Sequence, residues 1–79
     1  FIRMQVKNQP GVLAAIAQVF GEHKVSIERV VQDHAEPESA ELVIVTELVK
    51  EKYMNRALDE LKSMDRIYEI SSVIREYAE

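Results

Sequence analysis

The residues best suited to chemistry form one short turn, Asn8-Gln9-Pro10-Gly11, directly ahead of an apolar stretch that begins with Val12 and Leu13. Unpaired N–H groups at a helix start can hold a carboxylate, and the helix dipole favours its charge. Gly11 has no Cβ, so a ligand can approach the backbone closely, and the Asn8 amide can meet an ammonium or a hydroxyl. The turn could therefore bind a free amino acid. From the residues alone, the simpler interpretation is that Asn8 caps the helix and Pro-Gly shapes the turn.

Other chemistry has little support. The chain has no cysteine, which excludes disulfides, thiolate metal sites and thiol nucleophiles. His23 and His34 have no partners at metal-ligand spacing, so we expect both to be solvated. The acidic residues Glu36, Glu38 and Glu41 do not match a calcium loop and indicate a solvated hairpin. No serine has a paired base and the chain has only two glycines, so we expect no catalytic residue, no metal and no cofactor here.

Length and charge restrict the class of protein further. Seventy-nine residues predict a single domain over 1–79, and a net charge of −4 argues against nucleic-acid binding. No apolar run approaches the roughly 20 residues that span a bilayer, and the lack of cysteine fits a reducing compartment, so we expect a cytoplasmic location without membrane contact. The chain starts with Phe1 inside a strand-like segment, which indicates a fragment of a longer protein.

Hydrophobic periodicity divides the chain into six segments, because strands alternate with period two and helices carry an apolar stripe. Strands are predicted over 1–6, 25–33, 41–48 and 67–77, and helices from Pro10 to Gly21 and over 50–64. The predicted buried stripes are Leu13, Ile16, Ala17 and Phe20 in the first helix, and Met54, Ala57, Leu58 and Leu61 in the second. Val25, Ile27 and Val31 should share one face of the second strand, and 34–39 should form a hairpin loop.

The order β-α-β-β-α-β predicts the ferredoxin-like α+β fold, a four-stranded antiparallel sheet with two helices on one face. In this fold the first and third strands are central, which suits the doubly apolar run of residues 42–45. The second strand, 25–33, is then an edge that requires a cover. The fold hosts many functions, so it does not by itself identify one.

Four segments of the chain resemble the ACT family. Residues 8–13 are similar to the family signature, in which Asp or Asn, any residue and Pro-Gly precede two apolar residues; Asn8 stands where many ACT domains have Asp. The segments 25–28, 40–46 and 73–75 resemble the carboxy-terminal ACT domain of bacterial homoserine dehydrogenases.

The resemblance implies a non-catalytic regulatory domain that binds a free amino acid, with L-threonine as feedback inhibitor in threonine and methionine biosynthesis. It implies NAD(P) for the parent enzyme only, and a homodimer through edge strand 25–33. The implied ligand-binding residues are Asn8, Gln9, Pro10, Gly11, Val12, Leu13, Ser26 and Ile27. Two alternatives stay open: an assembly-only module without a ligand, and plain core packing for Ile27.

Catalytic and RNA-binding versions of the fold fit less well. A ferredoxin-like acylphosphatase would need an arginine in the first loop, which has none. An RNA-recognition domain would show aromatic residues on its central strands, where Phe1 is the only one.

Overall fold

The computed structural model describes residues 1–74, and its elements follow the predicted order. Their bounds are β1 (Ile2–Lys7), α1 (Val12–Glu22), β2 (Ile27–Ala35), β3 (Ser39–Thr46), α2 (Glu51–Lys62) and β4 (Ile67–Val73). The strands form one antiparallel sheet in the order β2-β3-β1-β4. This topology confirms the ferredoxin-like α+β fold, with β1 and β3 central and β2 and β4 at the edges.

The apolar core lies between the helices and one face of the sheet. Ile2, Met4 and Val6 alternate along β1 with exposures of 2% or less, and Ile2 and Met4 pair across the ladder with Ile44 and Leu42 of β3. Burying a side chain of this size stabilises a fold by about 1.5–3 kcal/mol. The strict alternation therefore fixes the register, since a slip by one residue would expose the whole set.

One helix buries the apolar stripe predicted for it, and the other buries a stripe that is rotated from the predicted one. The α2 stripe is as predicted, with Met54, Ala57, Leu58 and Leu61 all buried. The α1 stripe is Val12, Ile16, Val19 and Phe20, whereas the predicted members Leu13 and Ala17 are exposed. Both patterns have helical spacing. The observed one buries two valines in place of a leucine and a small alanine, and leaves Leu13 at the rim beside the preceding turn.

The end of α1 differs from the prediction that Gly21 closes it. Gly21 lies inside the last turn, and Lys24 adopts the left-handed conformation with φ +63°. Val25 N–H donates to the Phe20 carbonyl at 2.9 Å and Lys24 N–H to that of Gly21 at 3.1 Å. These paired bonds form a Schellman motif, and both Phe20 and Val25 are buried beneath it.

Strand β2 starts two residues later than predicted, because Val25 belongs to the helix cap, and it ends two residues later, because its pairing with β3 continues to Ala35. The register with β3 shifts at Glu28 and again at Asp33, and each shift is a bulge. The first bulge changes the alternation: Val30 packs against the core, and Val31 is 44% exposed on the other face. The prediction that Val31 shares a face with Val25 and Ile27 is therefore wrong.

The remaining boundaries are close to the predicted ones. Strand β3 ends two residues earlier than predicted, and the hairpin loop shortens to 36–38 because β2 and β3 continue pairing as far as Ala35 and Ala40. The last strand is described up to Val73, and the predicted stretch 75–77 lies outside the described residues. Neither helix of residues 1–74 is long and apolar enough to cross a membrane.

Candidate ligand-binding site

The first strand-to-helix turn ends at Gly11, which is the N-cap of α1 and has φ +85° and ψ −10°. Glycine reaches positive φ without a steric penalty. A Cβ at this position would meet no atom within 4 Å. The space beside the N-cap is therefore open, as the close approach of a ligand to the backbone requires.

The start of α1 leaves backbone donors unpaired. Val12 N–H donates to Gln9 O over a long 3.4 Å, and Ala15 N–H donates to Gly11 O at 3.0 Å. Within residues 1–74, the N–H groups of Leu13 and Ala14 have no protein acceptor, and no side chain caps the helix. The first turn also lacks an acidic residue. These donors and the positive end of the helix dipole together suit a carboxylate.

Asn8 has a different partner from the one expected of a helix cap. Its Nδ2 donates to the Glu36 carbonyl at 2.8 Å, and its backbone N–H donates to the Glu38 carbonyl at 3.3 Å. The interpretation of Asn8 as the N-cap is therefore wrong. The residue joins the turn to the β2–β3 hairpin instead. In the described part of the chain no donor pairs with its Oδ1, which leaves one acceptor on a residue three positions before the Gly11 N-cap.

The other residues of the turn divide into exposed and buried ones. Gln9 and Pro10 are exposed. Pro10 was predicted to occupy the first helical turn, but it precedes the N-cap. Val12 is 3% exposed and belongs to the core, whereas Leu13 is 45% exposed. Leu13 therefore offers apolar surface next to the unpaired donors, and Val12 supports the turn from below.

Ser26 and Ile27 lie at the other end of the sheet. Ile27 pairs with Thr46, and Glu47 N–H donates to Ser26 O at 2.9 Å. The turn, in contrast, follows Lys7, which pairs with Ser39 at the opposite end of β3. Eight strand residues separate these ends by about 23 Å, at about 3.3 Å per residue. Within one chain, the two halves of the predicted site do not meet. Ser26 is exposed, and Ile27 is half-buried against the core.

A polar cluster that the sequence reasoning missed lies on the sheet face opposite the helices. Arg3 forms ion pairs with Glu41 and, at 3.6 Å, with Asp33, and Gln5 Nε2 donates to Glu41 Oε2 at 2.8 Å. Period-two alternation puts Arg3 and Gln5 on one face, which was the available signal. In the ladder Gln5 lies opposite Glu41 and Arg3 is its diagonal neighbour, a register that depended on the fold.

The prediction that His23 is solvated is wrong. Its side chain is 24% exposed, and Nε2 lies 2.9 Å from Glu60 Oε1, which links the end of α1 to α2. The His34 side chain lies outside what the structure describes. Within residues 1–74, no cluster of three or more His, Cys, Asp or Glu side chains could hold a metal ion.

The ferredoxin-like fold with an open glycine turn ahead of its first helix defines a class of small domains, and comparison with known proteins identifies the family within that class. The ACT domain model matches residues 1–66, so the chain belongs to the ACT domain family. Homoserine dehydrogenase of Synechocystis sp. is 37% identical over 75 residues, covering 95% of this chain and 17% of the relative. The homoserine dehydrogenase of Mycobacterium tuberculosis strain H37Rv is 35% identical over 80 residues, covering 95% and 18%.

A solved structure agrees with the sequence relatives. The crystal structure of a homoserine dehydrogenase from Thiobacillus denitrificans superposes with a TM-score of 0.77 at 25% identity, over 87% of this chain and 15% of that chain. This chain thus spans 17% or 18% of the length of the two sequence relatives above.

Proposed function

We propose that this chain is the amino-acid-sensing domain of a longer homoserine dehydrogenase, and that bound L-threonine exerts feedback inhibition through it. The observation that carries the proposal is the open helix start: within residues 1–74, two N–H groups of the first turn have no acceptor, and the Oδ1 of Asn8, three residues before the glycine N-cap, has no donor. A free amino acid presents the complementary groups, a carboxylate and an ammonium. The sequence relatives named above are homoserine dehydrogenases. Threonine is the ligand implied by the resemblance of this chain to the regulatory domain of such enzymes.

A second copy of the chain would complete the site. Two β2 edges paired antiparallel, centred on Val30 and Val31, would bring Ser26 of one copy opposite Ala35 of the other, and Ile27 opposite His34. Ala35 pairs with Ala40 of β3, which pairs in turn with Val6 of β1. The turn at 8–11 starts two residues after Val6. Homodimerisation through β2 would therefore bring the two half-sites to the same end of one continuous sheet, about three strand spacings or about 14 Å apart across the strands.

Each group of the joined site has a defined task in this proposal. The N–H groups of Leu13 and Ala14 hold the ligand carboxylate, and the Asn8 Oδ1 accepts from its ammonium. The Leu13 side chain and Ile27 of the second copy pack on the small ligand side chain. Binding shifts the enzyme only as far as the ligand prefers one arrangement of the two copies over the other. NAD(P) would be bound by the dehydrogenase part of the longer chain.

The alternative function is an assembly-only module, in which β2 pairs but the turn binds nothing. One observation favours it: the Asn8 amide already donates to the Glu36 carbonyl, so its role can be purely structural. The two functions differ in what the loss of the Asn8 side chain does to ligand binding.

Calorimetric titration of the chain with L-threonine, L-serine and L-valine tests the proposal, with the oligomeric state followed by sedimentation. We expect saturable threonine binding to a dimer. Asn8→Ala should weaken it about tenfold, because a hydrogen bond to a charged ligand group is lost. Gln18→Ala is the matched control and should leave the affinity unchanged. It removes an exposed amide that bonds, among residues 1–74, only to Glu22 on the same helix.

Two outcomes would contradict the proposal. A folded dimer that binds none of the three amino acids is an assembly module. Equal effects of Asn8→Ala and Gln18→Ala would also remove the assigned role of the turn. In the longer enzyme, Asn8→Ala should relieve inhibition by threonine while the oligomeric state stays the same.

A further inference from the structure

A second cleft lies between the end of α1 and the first half of α2, at the opposite end of α1 from the glycine turn. Its volume is about 240 Å³. Its lining residues are Glu22, His23, Lys24, Lys52, Tyr53 and Arg56. The cleft is too small for a dinucleotide and has the size of a compact ligand with few heavy atoms.

The charge of this cleft is opposite to that of the whole chain. Lys24, Lys52 and Arg56 face a single lining carboxylate, Glu22, which accepts from Gln18 Nε2 at 3.0 Å. The lining therefore has a net formal charge of +2, on a chain whose net charge is −4. Within residues 1–74, none of the three cations lies within 4.0 Å of a carboxylate oxygen.

Two of these cations lie against the ring of Tyr53. Lys24 Nζ lies 5.7 Å from the centroid of the Tyr53 ring, and Lys52 Nζ lies 5.1 Å from it. Lys24 follows the end of α1 and Lys52 lies on α2, so the packing of α1 on α2 brings both ammonium groups to the same ring. Each gains a cation–π contact, and two positive charges at one ring also repel each other.

Arg56 adds a third positive charge on the same side of α2. It is four residues after Lys52, and like charges at this spacing destabilise a helix. Its planar guanidinium can bind two oxygens of one phosphate or carboxylate side by side. An anion between these groups would remove the repulsion that the free cleft sustains.

We infer that this cleft binds a small polyanion, a molecule with two or more neighbouring phosphate or carboxylate groups, between Lys24, Lys52 and Arg56. The Lys24 and Lys52 ammonium groups hold anionic oxygens beside Tyr53, and the Arg56 guanidinium binds a neighbouring anionic group. The site is separate from the amino-acid turn. Lys24 precedes Ser26 by two residues, so an anion bound here contacts the segment that leads into the β2 edge.

The test is a titration of the chain with inorganic pyrophosphate and with citrate at constant ionic strength, followed by calorimetry and by amide chemical shifts. Inorganic phosphate and acetate serve as ligands with a single anionic group. The double variant Lys52→Gln/Arg56→Gln removes two cleft cations. Lys62→Gln/Arg66→Gln removes two exposed cations outside the cleft, so the net charge changes equally.

We expect saturable binding of pyrophosphate, citrate or both, with shifts confined to 22–24 and 52–56. The cleft variant should weaken it by about tenfold or more, because charge-assisted bonds are lost, and the control variant should change it less than about twofold, since exposed distant charges are screened. Pyrophosphate alone would identify a phosphate ligand, and citrate alone a polycarboxylate. Absence of saturable binding to either, or equal losses in both double variants, would overturn the inference.

Discussion

Replacing each glycine with alanine should change the stability of this chain in opposite directions. Neither position is crowded, since a Cβ on Gly11 or on Gly21 would meet nothing within 4 Å. The difference therefore comes from the backbone alone. Gly11 has φ +85°, whereas Gly21 lies within α1.

The expected magnitudes follow from these conformations. An alanine in the left-handed region costs about 1–2 kcal/mol, and it recovers about 0.4–1 kcal/mol by restricting the unfolded chain. Gly11→Ala should thus lower the free energy of unfolding by about 0.5–1 kcal/mol. Gly21→Ala should raise it by about 0.5–1 kcal/mol, the usual gain of alanine over glycine inside a helix. At about 4–8 °C per kcal/mol for a domain of this size, the two melting temperatures should differ by on the order of 10 °C.

Urea unfolding followed by far-ultraviolet circular dichroism measures both changes. The protein concentration must be fixed, because a dimer gains stability by mass action. Gly11→Asn provides a further check, since asparagine tolerates the left-handed region better than alanine and should restore part of the loss. If Gly11→Ala is as stable as the parent chain, the positive φ at the N-cap is not a requirement of the fold and the reasoning fails.

Two further stability predictions follow from the sheet. Val30→Ala should destabilise the fold by about 1 kcal/mol and Val31→Ala by less than about 0.5 kcal/mol, because the bulge at Glu28 turns only Val30 towards the core. Denaturant unfolding measures both losses, and a larger loss for Val31→Ala would contradict this position of the bulge. Arg3→Gln should lower the free energy of unfolding by less than about 1 kcal/mol, because the ion pairs with Glu41 and Asp33 are partly exposed. This loss should disappear in 1 M salt, which screens the charges, and a loss that persists in salt would contradict an electrostatic origin.

Much of the architecture could be predicted because periodicity encodes it locally. The alternation of Ile2, Met4 and Val6 and the stripe of α2 both specify a buried face without reference to the rest of the chain. The continuous apolar run of β3 indicated a central strand in the same way. These patterns give the element order, and the rules of chain crossing then give the sheet.

The wrong predictions concern residues whose burial depends on tertiary contacts. The α1 stripe had two acceptable rotations, and only packing against the sheet selects Val12 and Val19 over Leu13. The bulge at Glu28 has no local signature, yet it exchanges the environments of Val30 and Val31.

The same dependence on long-range contacts applies to the site. The turn itself was readable from Pro-Gly and the helix that follows. The partner of the Asn8 amide could not be read locally, since Glu36 is 28 residues away and reaches the turn only through the β2–β3 hairpin. The separation of the turn from Ser26 and Ile27 required the strand register.

The two bulges of β2 also restrict which chains can add to this edge. Glu28 and Asp33 interrupt the ladder on either side of a regular stretch of four residues, 29–32. A flat incoming strand would find only this short stretch to pair with, which disfavours open-ended stacking into fibrils. A strand that carries the same two irregularities, run in the opposite direction, would match bulge against bulge. The shape of the edge therefore selects its own sequence over a generic β-segment.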